Sequence, residues 1–133
     1  MSWRTQRRAE FQHCDAHGIV FFPRYLEMVD TVIEQYFRDH VGYDFHKMHV
    51  EDHRGVPTAL LNIEFHAPSY LEDLLDFDLS VERAGKASVT IRIVISSGDE
   101  TRVSLTTTRV QADMTSRRST PWHDHVREKL NAT

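Results

Sequence analysis

Residues 23–40 read PRYLEMVDTVIEQYFRDH, and their apolar positions recur at helical spacing. Tyr25, Met28, Val29, Val32, Ile33, Tyr36 and Phe37 fall at i, i+3, i+4 and i+7, one face of a 3.6-residue period. Leu26 joins Val29, Ile33 and Phe37 on an adjoining row, so the stripe is broad, as in a helix packed deeply on one side or more. Pro23 suits the first turn, where its missing N–H would have no partner anyway. Gly42 suits the end, because it accepts a positive φ. A helix from about 23 to 40 is expected.

Downstream the period changes to two. Residues 58–66 (TALLNIEFH) give one strand signal. In 74–83, Leu75, Phe77, Leu79 and Val81 alternate with Asp76, Asp78, Ser80 and Glu82. In 87–96, Val89, Ile91, Ile93 and Ile95 alternate with mostly polar neighbours, Val94 breaking the pattern, and 101–112 are rich in β-branched residues. Ala84-Gly85 and Ser97-Gly98-Asp99 make short turns, which implies an antiparallel meander. Upstream, the arginine-rich residues 4–12 are a weaker strand candidate, expected to run up to His13. The fold class is α+β: a curved, antiparallel, five-stranded sheet wrapped on one long central helix. Such a sheet keeps an open edge, which pairing in a two-fold dimer would close. No linker or repeat interrupts the chain, so residues 1–133 are expected to form one domain, with a weakly ordered or peripheral tail after about 115.

Composition limits the function. With 133 residues, 40% hydrophobic and 27% charged, the chain is long enough to bury a core without a metal or disulfide staple. Cys14 is its one cysteine, so an intrachain disulfide is impossible; this suits a reducing, cytoplasmic setting. The apolar runs are short for a membrane helix, and MSWRTQRRAEF lacks the apolar core of a secretory signal. A net charge of −4 argues against bulk nucleic-acid affinity.

The segment just before the helix carries the chemistry: His13-Cys14-Asp15-Ala16-His17-Gly18-Ile19-Val20-Phe21-Phe22. A carboxylate and two histidines precede the helix end whose first N–H groups lack partners. Acyl transfer needs this combination: one group to attack or to activate water, and donors for the developing oxyanion. Asp15 capping a turn is the plainer alternative.

Asp15-x-x-Gly18-Ile19-Val20-Phe21-Phe22-Pro23-Arg24-Tyr25 resembles the signature of the hotdog-fold acyl-CoA thioesterases of the 4-hydroxybenzoyl-CoA type. Pro57, Phe65-His66-Ala67-Pro68, Tyr70 to Asp73 and the Gly85-Lys86 hairpin agree, so the resemblance spans about residues 4–114. It implies hydrolysis of an aryl- or short- to medium-chain acyl-CoA to the free acid and coenzyme A, which enters only as part of the substrate. No cofactor or metal is implied. Asp15 takes the catalytic carboxylate's position, as nucleophile or general base. The Phe22 backbone amide would polarise the thioester carbonyl, with Gly18, Ile19 and Val20 laid over the helix start and Tyr25 lining the acyl pocket. Thioesters of acyl carrier protein, or binding without turnover, are the alternative readings. A homodimer or homotetramer (a dimer of hotdog dimers) is implied, with no nucleic-acid or membrane partner.

His17 stands where related aromatic-CoA enzymes often carry a small residue; it would orient water or Asp15, restrict the pocket, or face solvent. Asn62, Glu64 and His66 share one face of their strand while Leu61, Ile63 and Phe65 face the helix, and Asn62 is a candidate contact across a dimer seam. Arg83 and Lys86, with Arg117 and Arg118 in the tail, are candidates for the phosphates of coenzyme A. His46, His49 and His53 lack an accompanying carboxylate geometry and read as a solvated loop, not a metal site. Cys14 reads as a small buried thiol.

Overall fold

The structure, a computed structural model, describes residues 2–133. Its strands in chain order are β1 (Trp3–Arg8), β2 (Arg54–Gly55), β3 (Thr58–Phe65), β4 (Leu74–Ala84), β5 (Ser88–Ser97), β6 (Glu100–Val110), β7 (Ala112–Asp113) and β8 (Arg118–Ser119). The helices are α1 (Phe22–Tyr36) and α2 (Asp124–Asn131). The main sheet has the order β1-β4-β5-β6-β3 with every neighbour antiparallel. Strands β2, β7 and β8 make a small second sheet.

The period-two pattern decides which face is covered. Leu75, Phe77 and Leu79 of β4, Ile91, Ile93 and Ile95 of β5, and Val103 and Leu105 of β6 are all buried. Cross-strand register aligns them, with Ile93 opposite both Leu79 and Leu105. Against them lie Tyr25, Met28, Val29, Val32, Ile33 and Tyr36, the stripe that the 3.6-residue spacing picks out. One helix laid on a curved antiparallel sheet is the hotdog arrangement.

Four expectations need correcting. The regular part of α1 ends at Tyr36, and Phe37–Val41 continue as a wider turn, with the Tyr43 N–H donating to the Phe37 carbonyl (2.8 Å). Gly42, at φ +78°, ends it as expected. The first strand stops at Arg8, because the His13 and Cys14 N–H groups fold back onto the Glu10 and Phe11 carbonyls (2.9 and 3.1 Å) and make a tight turn. The segment after residue 115 is not frayed. Trp122 is buried against Phe37, donates its indole N–H to the Ser88 carbonyl (3.1 Å), and leads into α2, whose Val126 and Leu130 are buried. Lastly, the inner face of β3 is poorly covered, with Leu61 38% and Phe65 49% exposed. The helix sits over β4, β5 and β6, and β3 overhangs it as an edge.

Candidate active site

The segment before α1 folds into a tight loop. Cys14 bridges Val20 and Ile19 bridges Tyr70. The Asp15 N–H donates to the Ile19 carbonyl (2.9 Å), and the Gly18 N–H to the Asp15 carbonyl (3.1 Å). Asp15 Oδ1 accepts the His17 N–H (2.8 Å), an Asx turn, so the plain turn-capping role is also present. Oδ2 accepts no hydrogen bond among the described residues and remains available for chemistry. Gly18 sits at φ +75°, a conformation that a side chain disfavours.

The amides behind this loop differ in their commitments. The Val20 N–H donates to the Ser69 carbonyl (2.8 Å) and the Phe21 N–H to the His13 carbonyl (2.9 Å). The Phe22 N–H, first in α1, has no acceptor among the described residues. Pro23 has no N–H to compete with it. Helix geometry therefore leaves a donor at the positive end of the α1 dipole.

Beside this amide lies an open cavity of about 360 Å³, lined by Val20, Phe22, Tyr25, Phe65, His66 and Pro68 among others. The Phe65 ring meets Phe22 edge-on at 6.2 Å and Tyr25 at 5.9 Å. Tyr25 is buried and closes the floor, while Phe22 is 58% exposed. Asp15 is not among the lining residues, so in a single chain its carboxylate does not face into this cavity. At the other end of β3 a second cavity, of about 390 Å³, lies between α1 and the 45–58 segment; Asp30, Glu34, Phe45, His49, Pro57 and Met114 line part of it. Buried Arg109 reaches into that cavity and pairs with Asp30 at 2.6 Å.

Val20, Phe22 and Tyr25 thus line one cavity, and Asp15, Gly18 and Ile19 form the hydrogen-bonded loop that precedes it. The other candidates contribute no side chain to either. His17 is exposed and engages Asp15 through its backbone N–H. Asn62 faces the outer side of the sheet with Glu64, Arg92, Ser104 and Thr106, away from α1. Arg83 and Lys86 lie at the Ala84 end of β4, whereas the Asp15 loop rests at the Leu74 end. Ten residue steps of about 3.3 Å separate those ends, roughly 33 Å. Arg118 pairs in β8, and Arg117 precedes it at φ +62°. No three of the described His, Cys, Asp and Glu side chains converge as a metal site, His46, His49 and His53 included. Cys14 is half-buried, and burial together with the Asp15 and Asp73 charges raises its thiol pKa, which suppresses nucleophilicity.

One support is missing from the sequence reading. Arg102 on β6 donates to Asp73 Oδ2 (2.7 Å) and to the Pro68 carbonyl (3.1 Å), and the same Oδ2 accepts the Tyr70 N–H (2.9 Å). Arg102 first, then the Tyr70 N–H, holds the Asp73 carboxyl below its ordinary pKa. This clamp fixes the 68–73 segment on which the Asp15 loop rests. A lone arginine in a β-branched strand carries no signal of that partnership.

A carboxylate in the loop before α1, an unpaired helix-start amide and an apolar cavity beside that amide, all on a hotdog framework, are groups that acyl transfer can use. The sequence model of the thioesterase superfamily matches residues 17–104, two thirds of the chain, starting two residues after Asp15. The chain belongs to the thioesterase superfamily and is a thioester hydrolase. No protein with a curated description matches it in sequence. Among solved structures, a 1,4-dihydroxy-2-naphthoyl-CoA thioesterase from Synechocystis superposes with a TM-score of 0.88 at 17% identity, covering 98% of this chain and 96% of that one. A gentisyl-coenzyme A thioesterase gives 0.84 at 21%, covering 97% and 99%. A Staphylococcus aureus protein solved in complex with CoA gives 0.91 at 10%, covering 99% and 83%. At these identities the likeness is one of fold.

Proposed function

We propose that this thioesterase hydrolyses acyl-CoA, with an aromatic or short- to medium-chain acyl group seated against Phe22, Tyr25 and Phe65. The observation that carries the reading is the unpaired Phe22 N–H at the α1 start, beside the cavity that Phe22 and Tyr25 line and preceded by the loop that carries Asp15, whose Oδ2 accepts no hydrogen bond among the described residues. The amide polarises the thioester carbonyl and holds the tetrahedral oxygen. Asp15 either adds to that carbonyl or takes a proton from the attacking water; both routes release the CoA thiolate and use the same carboxylate. The two named CoA thioesterases of the same fold act on aromatic acyl groups, which supports the aromatic choice.

The working unit is a dimer joined along β3. Its two cavities flank opposite ends of that free edge. Antiparallel pairing of two β3 strands reverses the ends, so each chain's Phe22–Tyr25–Phe65 cavity meets its partner's 390 Å³ groove. The acyl chamber is then walled from both sides, and pairing buries Leu61 and Phe65. Arg83 and Lys86 reach the phosphates of coenzyme A only from a neighbouring protomer.

Asp15→Asn tests the assignment. Asparagine keeps the acceptor for the His17 N–H, so fold and melting temperature should hold. Release of CoA from benzoyl-CoA, followed with a thiol reagent, should fall by about 10²–10⁴-fold. Turnover at the wild-type rate would remove Asp15 from the mechanism.

A further inference from the structure

Tyr70 has no task in the fold or in the mechanism above. Its backbone is held twice: the N–H donates to Asp73 Oδ2 (2.9 Å) and the carbonyl accepts the Asp73 N–H (3.0 Å). Its side chain is 53% exposed, and its hydroxyl makes no hydrogen bond among the described residues.

Backbone register places that side chain. Ile19 bridges Tyr70, and Cys14 bridges Val20, both antiparallel. The Asp15 N–H on the Ile19 carbonyl (2.9 Å) and the Phe21 N–H on the His13 carbonyl (2.9 Å) extend the second pairing to either side. Asp15, Ile19 and Tyr70 therefore form one row across three adjacent segments, and residues paired in this way share a face. Phe21, two residues after Ile19, shares it as well. Cys14, Val20 and Ser69 take the opposite face. Burial follows this division: Val20 and Ser69 are buried, whereas Phe21 and Tyr70 are about half exposed.

Neighbouring segments lie about 4.8 Å apart, so Asp15 and Tyr70 stand roughly 10 Å apart over Ile19. That width admits one extended chain between an acid and a ring with a free hydroxyl. Ile19 floors the slot, and Phe21 extends it toward the unpaired Phe22 N–H. With the acyl group in the cavity beside that amide, the thiol side of the substrate leaves across this face. In a CoA thioester that side is the pantetheine arm, an extended chain of methylenes and amides, and a phenolic hydroxyl can both donate to an amide and accept from one.

We infer that Tyr70 binds the thiol arm of the substrate, its hydroxyl on the amide nearest the sulfur. The inference rests on the acyl-CoA reading, and two measurements separate them. Pantetheine, which carries neither acyl group nor nucleotide, is titrated by NMR into the wild type, Tyr70→Phe, Tyr70→Ala and Phe11→Ala. KM and kcat are measured on benzoyl-CoA, and each protein is melted and sedimented. Phe11 is the control, an exposed aromatic in the neighbouring turn that lies outside the row.

Losing a contact to a part of the substrate that does not react raises KM and spares kcat. Tyr70→Ala should weaken pantetheine binding and raise KM about tenfold, with kcat within about twofold. Tyr70→Phe should give about a three- to fivefold loss in both, the share of the hydroxyl. Phe11→Ala should match the wild type, and all four proteins should melt and sediment alike. No pantetheine binding by the wild type, or binding indifferent to Tyr70→Ala, overturns the inference. A loss confined to kcat, or one that Phe11→Ala reproduces, overturns it as well. A changed sedimentation coefficient in Tyr70→Ala assigns the side chain to a subunit contact instead and also overturns it. A wild type that binds pantetheine through Tyr70 but hydrolyses neither benzoyl-CoA nor hexanoyl-CoA defeats the acyl-CoA reading alone. Tyr70→Phe decides the case in which Tyr70→Ala does not fold.

Discussion

At the scale of single residues, the site depends on backbone conformation as much as on side-chain chemistry. Gly18 holds φ +75°, and a Cβ built there meets no atom within 4 Å. Gly18→Ala should therefore cost only the left-handed strain, about 1–2 kcal/mol, without a clash. Urea unfolding reads that cost directly, and turnover should fall further than stability as Asp15 shifts. Asp73 gives a second test. Its carboxyl is held below the ordinary range by Arg102, so its contribution is present above pH 4 and lost as pH falls through the lowered value. Asp52 behaves alike, lowered by hydrogen bonds from Tyr43, His123 and Lys47. Melting temperature should be flat from about pH 7 to 5 and decline below about 4. Asp73→Asn should melt lower at neutral pH and show a shallower acid decline. An unchanged acid slope would remove the clamp from the account.

At the scale of elements, the C-terminal segment is structural. Trp122 packs on Phe37 with ring centroids 6.1 Å apart, its backbone N–H meets the Lys86 carbonyl (3.0 Å), and its indole meets Ser88. It pins the β4–β5 hairpin to the wide turn after α1. Trp122→Ala should cost about 3–5 kcal/mol, measured by chemical denaturation. The same comparison shows what a sequence makes legible. The stripe of α1 and the alternation of β4 and β5 are periodic, and periodicity survives into coordinates because one face of each must meet the core. The Asp15 loop is legible because Asp, Gly and a following Pro have strong local preferences. The tail is not: HDHVREKLN has few apolar positions, and its helix depends on the long-range seat of Val126 and Leu130. The Arg102–Asp73 clamp joins residues distant in sequence, so no spacing announces it.

At the scale of the molecule, the two rims of the sheet are unlike. Strand β1 carries Arg4, Gln6 and Arg8 outward, while β3 leaves Leu60 61% exposed along with Leu61 and Phe65. Leu61→Lys places a charge in the proposed seam. It should convert the assembly to monomers in sedimentation velocity and lower kcat/KM by about tenfold or more, while a single chain keeps its helix–sheet core. A dimer that persists in Leu61→Lys would require another interface.

The unlike rims also set where growth stops. An arginine-bearing margin discourages stacking of further strands, and an apolar margin invites it. A molecule with one of each has a single adhesive side. In the proposed dimer both remaining borders are β1 margins, whose outward Arg4, Gln6 and Arg8 disfavour a further strand. Under the proposed β3 pairing association would be self-terminating: the ribbon would reach ten strands and not lengthen into a fibre.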